Sequence, residues 1–168
     1  MDLNNAIAPA ERIHYILKHC RTIAVVGLSP KPDRASFDVA RYMQAAGYRI
    51  IPINPNTAQV LNEKAYPSLL EAARHETIDL VNCFRNSDDI PPIVEDAIAI
   101  GAKAVWMQLG IANTAAALKA QSAGLLVVQN HCIKIDHRTP HSAQFIRFKR
   151  LLLQEQPFCG VPVNKSTL

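Results

Sequence analysis

Short apolar runs alternate with longer amphipathic stretches along the chain, and turn or helix-cap residues close each run. The runs are four or five residues long and almost continuously apolar, which is typical of strands that helices cover on both faces of a parallel sheet. Five strands are predicted, at residues 22–26, 49–53, 78–82, 104–107 and 125–128. Helices are predicted at residues 9–19, 36–46, 68–73, 87–100, 113–123 and 141–154, with a loose tail after Pro157.

Strands and helices that alternate with short connections leave little topological freedom, because such crossovers are almost always right-handed. We therefore predict an α/β fold, a doubly wound, Rossmann-like domain of three layers with a mainly parallel sheet of about five strands. The chain of 168 residues has the usual length of one domain, and no repeat, low-complexity tract or linker divides it. A single domain over residues 1–168 is expected.

The composition indicates the cellular compartment and the class of ligand to expect. No apolar run approaches the roughly 20 residues of a membrane span, and no secretory signal begins the chain, so we expect a cytoplasmic protein without membrane contact. Four cysteines without a CxxC pair argue against a disulfide framework or a metal site. The net charge of +4 suits an anionic ligand, and the lack of a long basic run favours a small anion over nucleic acid.

The loop after the first strand, residues 27–36, is the first candidate site, because ligands of open parallel sheets lie beyond the carboxyl ends of the strands. Gly27 allows a phosphate to approach the backbone, while Lys31 and Arg34 offer positive charge before a helix N-terminus. This is the outline of a pyrophosphate site, and a plain strand-to-helix turn is the alternative. The candidate residues here are Gly27, Leu28, Ser29, Pro30, Lys31, Arg34 and Ser36.

The loops after the second and third strands offer further contacts. Asn54, Pro55 and Asn56 follow the second strand, where their amides and carbonyls suit an adenine or a ribose, although Asn-Pro also marks an ordinary turn. Phe84 and Arg85 end the third strand, and an aromatic ring followed by arginine can cover an adenine face and reach a phosphate. An exposed arginine at a strand end is the alternative there.

Two absences bear on the choice of ligand. The fingerprint GxGxxG is missing, since only Gly27 of its three glycines is present, and no acid follows the second strand to hold ribose hydroxyls. A nicotinamide cofactor is therefore disfavoured. Trp106 and Gln108 at the fourth strand are candidates for a pocket wall, with core packing of the tryptophan equally plausible.

The segment after the fifth strand holds a candidate nucleophile, Cys132, beside His131. Adjacent residues of an extended chain point in opposite directions, and a lone buried cysteine is the commoner case. No catalytic residue is therefore assigned. A metal set of Cys132 with His137 and His141 lacks a recognised ligand spacing and is rejected.

Six motifs in order resemble one known family, the small single-domain CoA-binding proteins whose domain is shared with the α subunit of succinyl-CoA synthetase. The resemblance covers residues 22–136. The motifs are IAVVGLSP at 23–30, PINP at 52–55, AYPSL at 65–69, DLVNCFR at 79–85, GAKAVWMQLG at 101–110 and NHCIKI at 130–135. The resemblance implies the Rossmann-type fold and a site for coenzyme A or an acyl-CoA.

By this resemblance, residues 27–36 hold the CoA diphosphate, residues 54–56 line the nucleotide end, and Phe84 with Arg85 flanks the adenine or the phosphates. Members of the family often carry lysine where this chain has Asn56, so Lys31, Arg34 or Lys64 would have to supply that charge. Asn62 stands where a glycine is common, and we assign it no functional role.

The family's ligase relatives carry a phosphorylated histidine in a second domain, for which this chain is too short. We therefore expect a CoA-binding or regulatory module without autonomous catalysis, acting with a protein partner or as a homo-oligomer. Two alternatives stay open: a small enzyme that acts on CoA thioesters through Cys132, and a redox sensor that binds a nicotinamide nucleotide.

Overall fold

The computed structural model describes residues 3–139. The strands are β1 (Thr22–Val26), β2 (Arg49–Ile53), β3 (Gln59–Val60), β4 (Glu63–Lys64), β5 (Leu80–Cys83), β6 (Ala104–Met107) and β7 (Leu126–Val128). The helices are α1 (Leu3–Ala6), α2 (Pro9–His19), α3 (Ala35–Ala45), α4 (Leu69–Ala73), α5 (Ile90–Ala99), α6 (Thr114–Ser122) and α7 (Ile133–Arg138), with a 3₁₀ turn at Ser87–Asp89. The predicted helix at 141–154 and the tail lie outside the described residues.

Five strands form one parallel sheet in the order β2-β1-β5-β6-β7. The chain builds outward from β1 to β2, returns to pair β5 with the other side of β1, and then continues outward to β7. This reversal between β1 and β5 is the switch point of a doubly wound sheet, so the predicted Rossmann-like fold is confirmed. A separate antiparallel hairpin, β3 and β4, lies between β2 and α4.

Helices cover both faces of the sheet and make the predicted three layers. One apolar core lies between the sheet and α2, α3 and α7, and includes the fully buried Ile16, Ile23 and Met43. The other lies between the sheet and α4, α5 and α6, and includes Val94 and Met107. Strand residues point alternately into the two cores, which explains why these strands are apolar along their whole length.

Several of the observed elements differ from the predicted ones, and these differences have local causes in the sequence. The predicted helix 87–100 divides into a 3₁₀ turn and α5, because proline lacks an N–H and is tolerated only in the first turn, where α5 places it. The β3–β4 hairpin was not predicted, since its strands have two residues each. Its turn places Leu61 and Asn62 at φ of 55° and 61°. Glycine suits position 62 because the backbone there is left-handed. Helix α7, with six residues, is too short for a periodic signal.

The N-terminal segment covers the outer edge of β7. The side-chain amide of Asn4 donates to the carbonyl of Leu125 at 2.8 Å and accepts from the N–H of Val127 at 3.0 Å. Arg12 donates to the same Asn4 oxygen at 3.2 Å. One buried asparagine thus satisfies edge groups that would otherwise pair with another strand. No helix within residues 3–139 is long and apolar enough to span a bilayer.

Candidate functional site

The switch point brings three loops together at the carboxyl edge of the sheet. Val26, the last residue of β1, is in register with Ile53 at the end of β2 and with Cys83 at the end of β5. The segments that follow these strands therefore start at the same level on adjacent strands. In doubly wound sheets this crevice is where ligands bind.

Gly27 is required by the approach of two of these segments. Its backbone is left-handed, with φ of +83°, and its N–H donates to the carbonyl of Ile53 at 3.0 Å. A Cβ atom at this position would lie 2.8 Å from the carbonyl oxygen of Phe84 and 3.0 Å from Cδ of Arg85. Any other residue would therefore combine backbone strain with a collision against the segment that follows β5.

The rest of the β1 loop, residues 27–36, is fixed by its own hydroxyl groups. The backbone N–H of Ser29 donates to Oγ of the buried Ser36 at 3.1 Å, and the N–H of Lys31 donates to Oγ of Ser29 at 3.2 Å. The side chain of Leu28 is fully buried and anchors the loop to the core. The two serines thus organise the backbone of the loop.

The charged residues of the loop remain accessible at the start of α3. Pro30, Lys31 and Arg34 are exposed. Arg34 occupies the N-cap position, and its side chain makes no capping hydrogen bond to the first turn of α3. Unsatisfied N–H groups beside two cationic side chains make this helix N-terminus attractive to an anion.

Asn54 connects the second loop to the first. Its Nδ2 donates to the carbonyl of Leu28 at 2.9 Å, and its Oδ1 accepts from the N–H of Asn56 at 2.8 Å. Pro55 and Asn56 are exposed at the rim. Lys64, on β4 of the following hairpin, lies with its ammonium 4.8 Å from the ring centroid of Tyr66.

The third segment begins where the N–H of Phe84 donates to the carbonyl of Val26 at 2.9 Å. The ring of Phe84 is half-buried against the core under α3 and α7. The side chain of Arg85 is 55% exposed, and its Nε lies 3.6 Å from Asp89 Oδ2. An exposed pair of this kind is weak, so the guanidinium can turn to an anion at little cost.

Trp106 lies on β6 and Gln108 directly follows it. Unlike the exposed candidates above, both side chains are buried. Trp106 is 0% exposed, and its indole N–H donates to the carbonyl of His131 at 2.8 Å. Of the two roles considered for Trp106, packing in the core agrees with this burial. A role in a pocket wall is not supported by it. Gln108 is buried as well and donates from Nε2 to Asn82 Oδ1 at 2.7 Å.

Helix α7 adds a cation that the sequence did not indicate. Nζ of Lys134 lies 2.6 Å from Asp38 Oδ2 in the first turn of α3 and 5.5 Å from the ring centroid of Tyr42. The hydrogen bond from Lys134 is the largest cause that holds the pKa of Asp38 below its ordinary value. No periodic signal marks α7, so sequence patterns could not place Lys134 beside Asp38.

His131 is bonded to a carboxylate, with Nδ1 lying 3.1 Å from Asp136 Oδ2. Cys132 is half-buried at the N-cap of α7. Burial raises the pKa of Cys83 to about 12 and is the largest cause that raises the pKa of Cys20 to about 11. Among the residues that the structure describes, no group of three His, Cys, Asp or Glu side chains could hold a metal ion.

The fold and the β1 loop define a doubly wound α/β protein whose switch point carries a strand-loop-helix site with exposed cations. The chain belongs to the CoA-binding domain family, whose sequence profile matches residues 21–138. It is 42% identical over 125 residues to the uncharacterized protein YneT of Bacillus subtilis, covering 74% of this chain and 91% of that protein.

Solved structures agree with the fold. A hypothetical protein from Pyrococcus horikoshii OT3 is 39% identical, with a TM-score of 0.73 over 77% of this chain and 90% of that one. A Thermus thermophilus protein, cell-free ID.343, is 28% identical, with a TM-score of 0.72 over 78% of this chain and 98% of that one.

Proposed function

We propose that this chain binds coenzyme A or an acyl-CoA at the carboxyl edge of the sheet, with the diphosphate on the β1 loop. It acts in the cytoplasm as a binding or regulatory module without catalysis of its own, together with a protein partner or as a homo-oligomer. The observation that carries the proposal is the N-terminus of α3, which has no side-chain cap and lies beside the exposed Lys31 and Arg34. Membership of the CoA-binding domain family supports the same ligand.

The charges at the rim suit the phosphates of CoA. Lys31 and Arg34 are exposed at the start of α3, where a diphosphate would also meet backbone N–H groups. Arg85 approaches from the third segment, and its partner Asp89 is itself partly exposed. A ligand with several phosphate charges gains from all three cations at once.

The nucleotide end favours CoA over a nicotinamide dinucleotide. Asn54 follows β2 at the place where an acid would hold the ribose hydroxyls of NAD, and its side-chain amide is already bonded to Leu28 and Asn56. The exposed amide of Asn56 offers a donor to the 3′-phosphate of CoA, in place of the lysine common in the family.

Calorimetric titration of the full chain with CoA, acetyl-CoA, ADP and NAD at moderate salt tests the proposal. CoA should bind at least about tenfold more tightly than NAD, a difference of roughly 1.4 kcal/mol. Equal or tighter binding of NAD would overturn the CoA assignment and favour the redox sensor. Similar affinities for CoA and acetyl-CoA would place the determinants on the nucleotide half, and a large difference would require an acyl pocket.

A further inference from the structure

A cavity of about 310 Å³ opens at the other end of the sheet, at the amino ends of β1 and β2. Arg21 directly precedes β1 and Tyr48 directly precedes β2, while the remaining lining comes from α2, from α7 and from the residue that follows α7. The described lining residues are His14, Leu17, Lys18, Arg21, Tyr48, His137 and Thr139. Because β1 is five residues long, about 16 Å of strand separates this cavity from the β1 loop.

The rim of the cavity carries basic side chains, and its floor is apolar. Lys18 and Arg21 carry positive charge at the exposed rim, and two imidazoles contribute to the wall. The floor includes Leu17 and Tyr48, both buried. None of the described lining residues is acidic.

Arg21 is held so that its guanidinium is available to a ligand. Its backbone N–H donates to Asp79 Oδ2 at 2.9 Å, and that carboxylate also pairs with Nζ of Lys103 at 2.7 Å. The side chain lies over the ring of Tyr48, with Cζ 5.6 Å from the centroid. Within residues 3–139 no carboxylate lies at ion-pair distance from the Arg21 guanidinium. Backbone and ring contacts thus hold the planar guanidinium of Arg21 in an orientation that suits hydrogen bonds to an oxyanion.

His137 is also fixed in its orientation. Its Nδ1 lies 2.9 Å from the hydroxyl of Tyr42, and its ring makes edge contacts with Tyr42 and Tyr48 at centroid distances of 5.6 Å. With Nδ1 occupied, Nε2 is the atom of this imidazole that remains to meet a ligand. The hydroxyl of Tyr48 donates to the carbonyl of Leu17 at 2.6 Å, so this hydroxyl is not left to meet a ligand.

We propose that this cavity binds a phosphate ester of a small molecule, at a second site separate from the β1 loop. Arg21 and Lys18 hold the phosphate at the rim, and His137 donates to it from Nε2. The organic group lies on the apolar floor at Leu17, beside the Tyr48 ring over which Arg21 is held. The volume is several times that of a phosphate ion and therefore has room for the ester group.

Titration of the isotope-labelled full chain with phenyl phosphate, and separately with inorganic phosphate, tests the proposal at constant ionic strength. The imidazole resonances of His14 and His137 should shift saturably, and phenyl phosphate should bind more tightly than inorganic phosphate. Arg21→Gln should weaken binding about tenfold, as expected for loss of a charge-assisted contact. This variant keeps the backbone bond to Asp79, and its thermal unfolding checks that it folds.

Arg74→Gln, at an exposed arginine of the α4 end, is the matched control and should bind as the unsubstituted chain does. Shifts that do not saturate, or equal affinities of the two glutamine variants, would overturn the site. Equal affinities for the two phosphates would overturn the part assigned to the organic group. Changes confined to the amides of Ser29 and Lys31 would place the anion on the β1 loop and overturn a second site, without affecting the CoA proposal.

Discussion

The side-chain amide of Asn54 donates to the carbonyl oxygen of Leu28 across 2.9 Å, so the residue that follows the second strand holds the loop that follows the first. The same side chain accepts from the N–H of Asn56 through its other polar atom. One residue therefore sets the relative position of two loops of the candidate site.

Two substitutions of Asn54 separate these contacts. Asn54→Asp keeps an oxygen for the N–H of Asn56 but loses the donor to Leu28, whereas Asn54→Ala loses both. We expect Asn54→Asp to reduce stability by about 1 kcal/mol and Asn54→Ala to reduce it further, each with weaker CoA binding. Denaturant unfolding measures the loss of stability, and calorimetry measures the loss of CoA affinity. Wild-type affinity in both variants would show that the contacts of Asn54 with Leu28 and Asn56 do not shape the site.

Gly27 should tolerate no side chain. Gly27→Ala combines left-handed strain with the 2.8 Å contact to Phe84, so a loss of stability above about 2 kcal/mol is expected. Gly27→Val should abolish CoA binding. Gly101→Ala is the control, because Gly101 has φ of +70° but nothing within 4 Å of the added atom. Equal losses in Gly27→Ala and Gly101→Ala would mean that the contact with Phe84 contributes nothing.

Arg34 should contribute to the affinity for CoA without supporting the fold. Arg34→Ala removes an exposed cation at the N-cap of α3 and should weaken CoA binding by about 1 to 3 kcal/mol. Arg41→Ala, on the same helix and paired with Asp38, serves as the control and should change affinity little. If the two variants bind CoA equally well, Arg34 does not meet the phosphates.

Asp79 should make stability depend on acid pH. Burial alone would raise its pKa, but hydrogen bonds from Lys103 and from the backbone of Arg21 and Thr22 outweigh burial and hold the pKa below the ordinary value of 3.8. A pKa that is lower in the folded state stabilises the fold above pH 3.8, and this stabilisation is lost as the pH falls below that value.

Asp79→Asn should therefore be less stable than the wild type by about 1 to 3 kcal/mol at pH 7, with a difference that shrinks towards pH 3. Urea unfolding at several pH values measures this, with the exposed Asp88→Asn as control. A difference that does not change with pH would contradict the proposed ionisation.

Cys132 should not act as a nucleophile. The imidazole of His131 is bonded to Asp136 rather than to the cysteine sulfur. Cys132→Ser should leave CoA affinity within a few-fold of the wild type. Alkylation of the folded chain by iodoacetamide at neutral pH, mapped by mass spectrometry, should show no selectively fast reaction at this residue. Fast and selective labelling of Cys132 would indicate a reactive thiolate and revive the alternative of a small enzyme that acts on CoA thioesters through Cys132.

The sequence by itself determined the five parallel strands and the position of the β1 loop. Buried strands between helices are apolar along their length, and Gly27 follows the first such run, so local composition was enough. The predicted strand at 78–82 was displaced to Leu80–Cys83, because the alternation of apolar residues does not mark where ladder bonds begin.

Only the tertiary structure decided which residues meet. Asp38 and Lys134 are 96 positions apart, and their contact depends on how α3 and α7 pack on one face of the sheet. The burial of Trp106 and the collision that forbids a side chain on Gly27 likewise depend on segments that are distant in the chain. Periodicity reports the environment of each residue but not the identity of its neighbours, because those are set by the packing of elements remote in the chain.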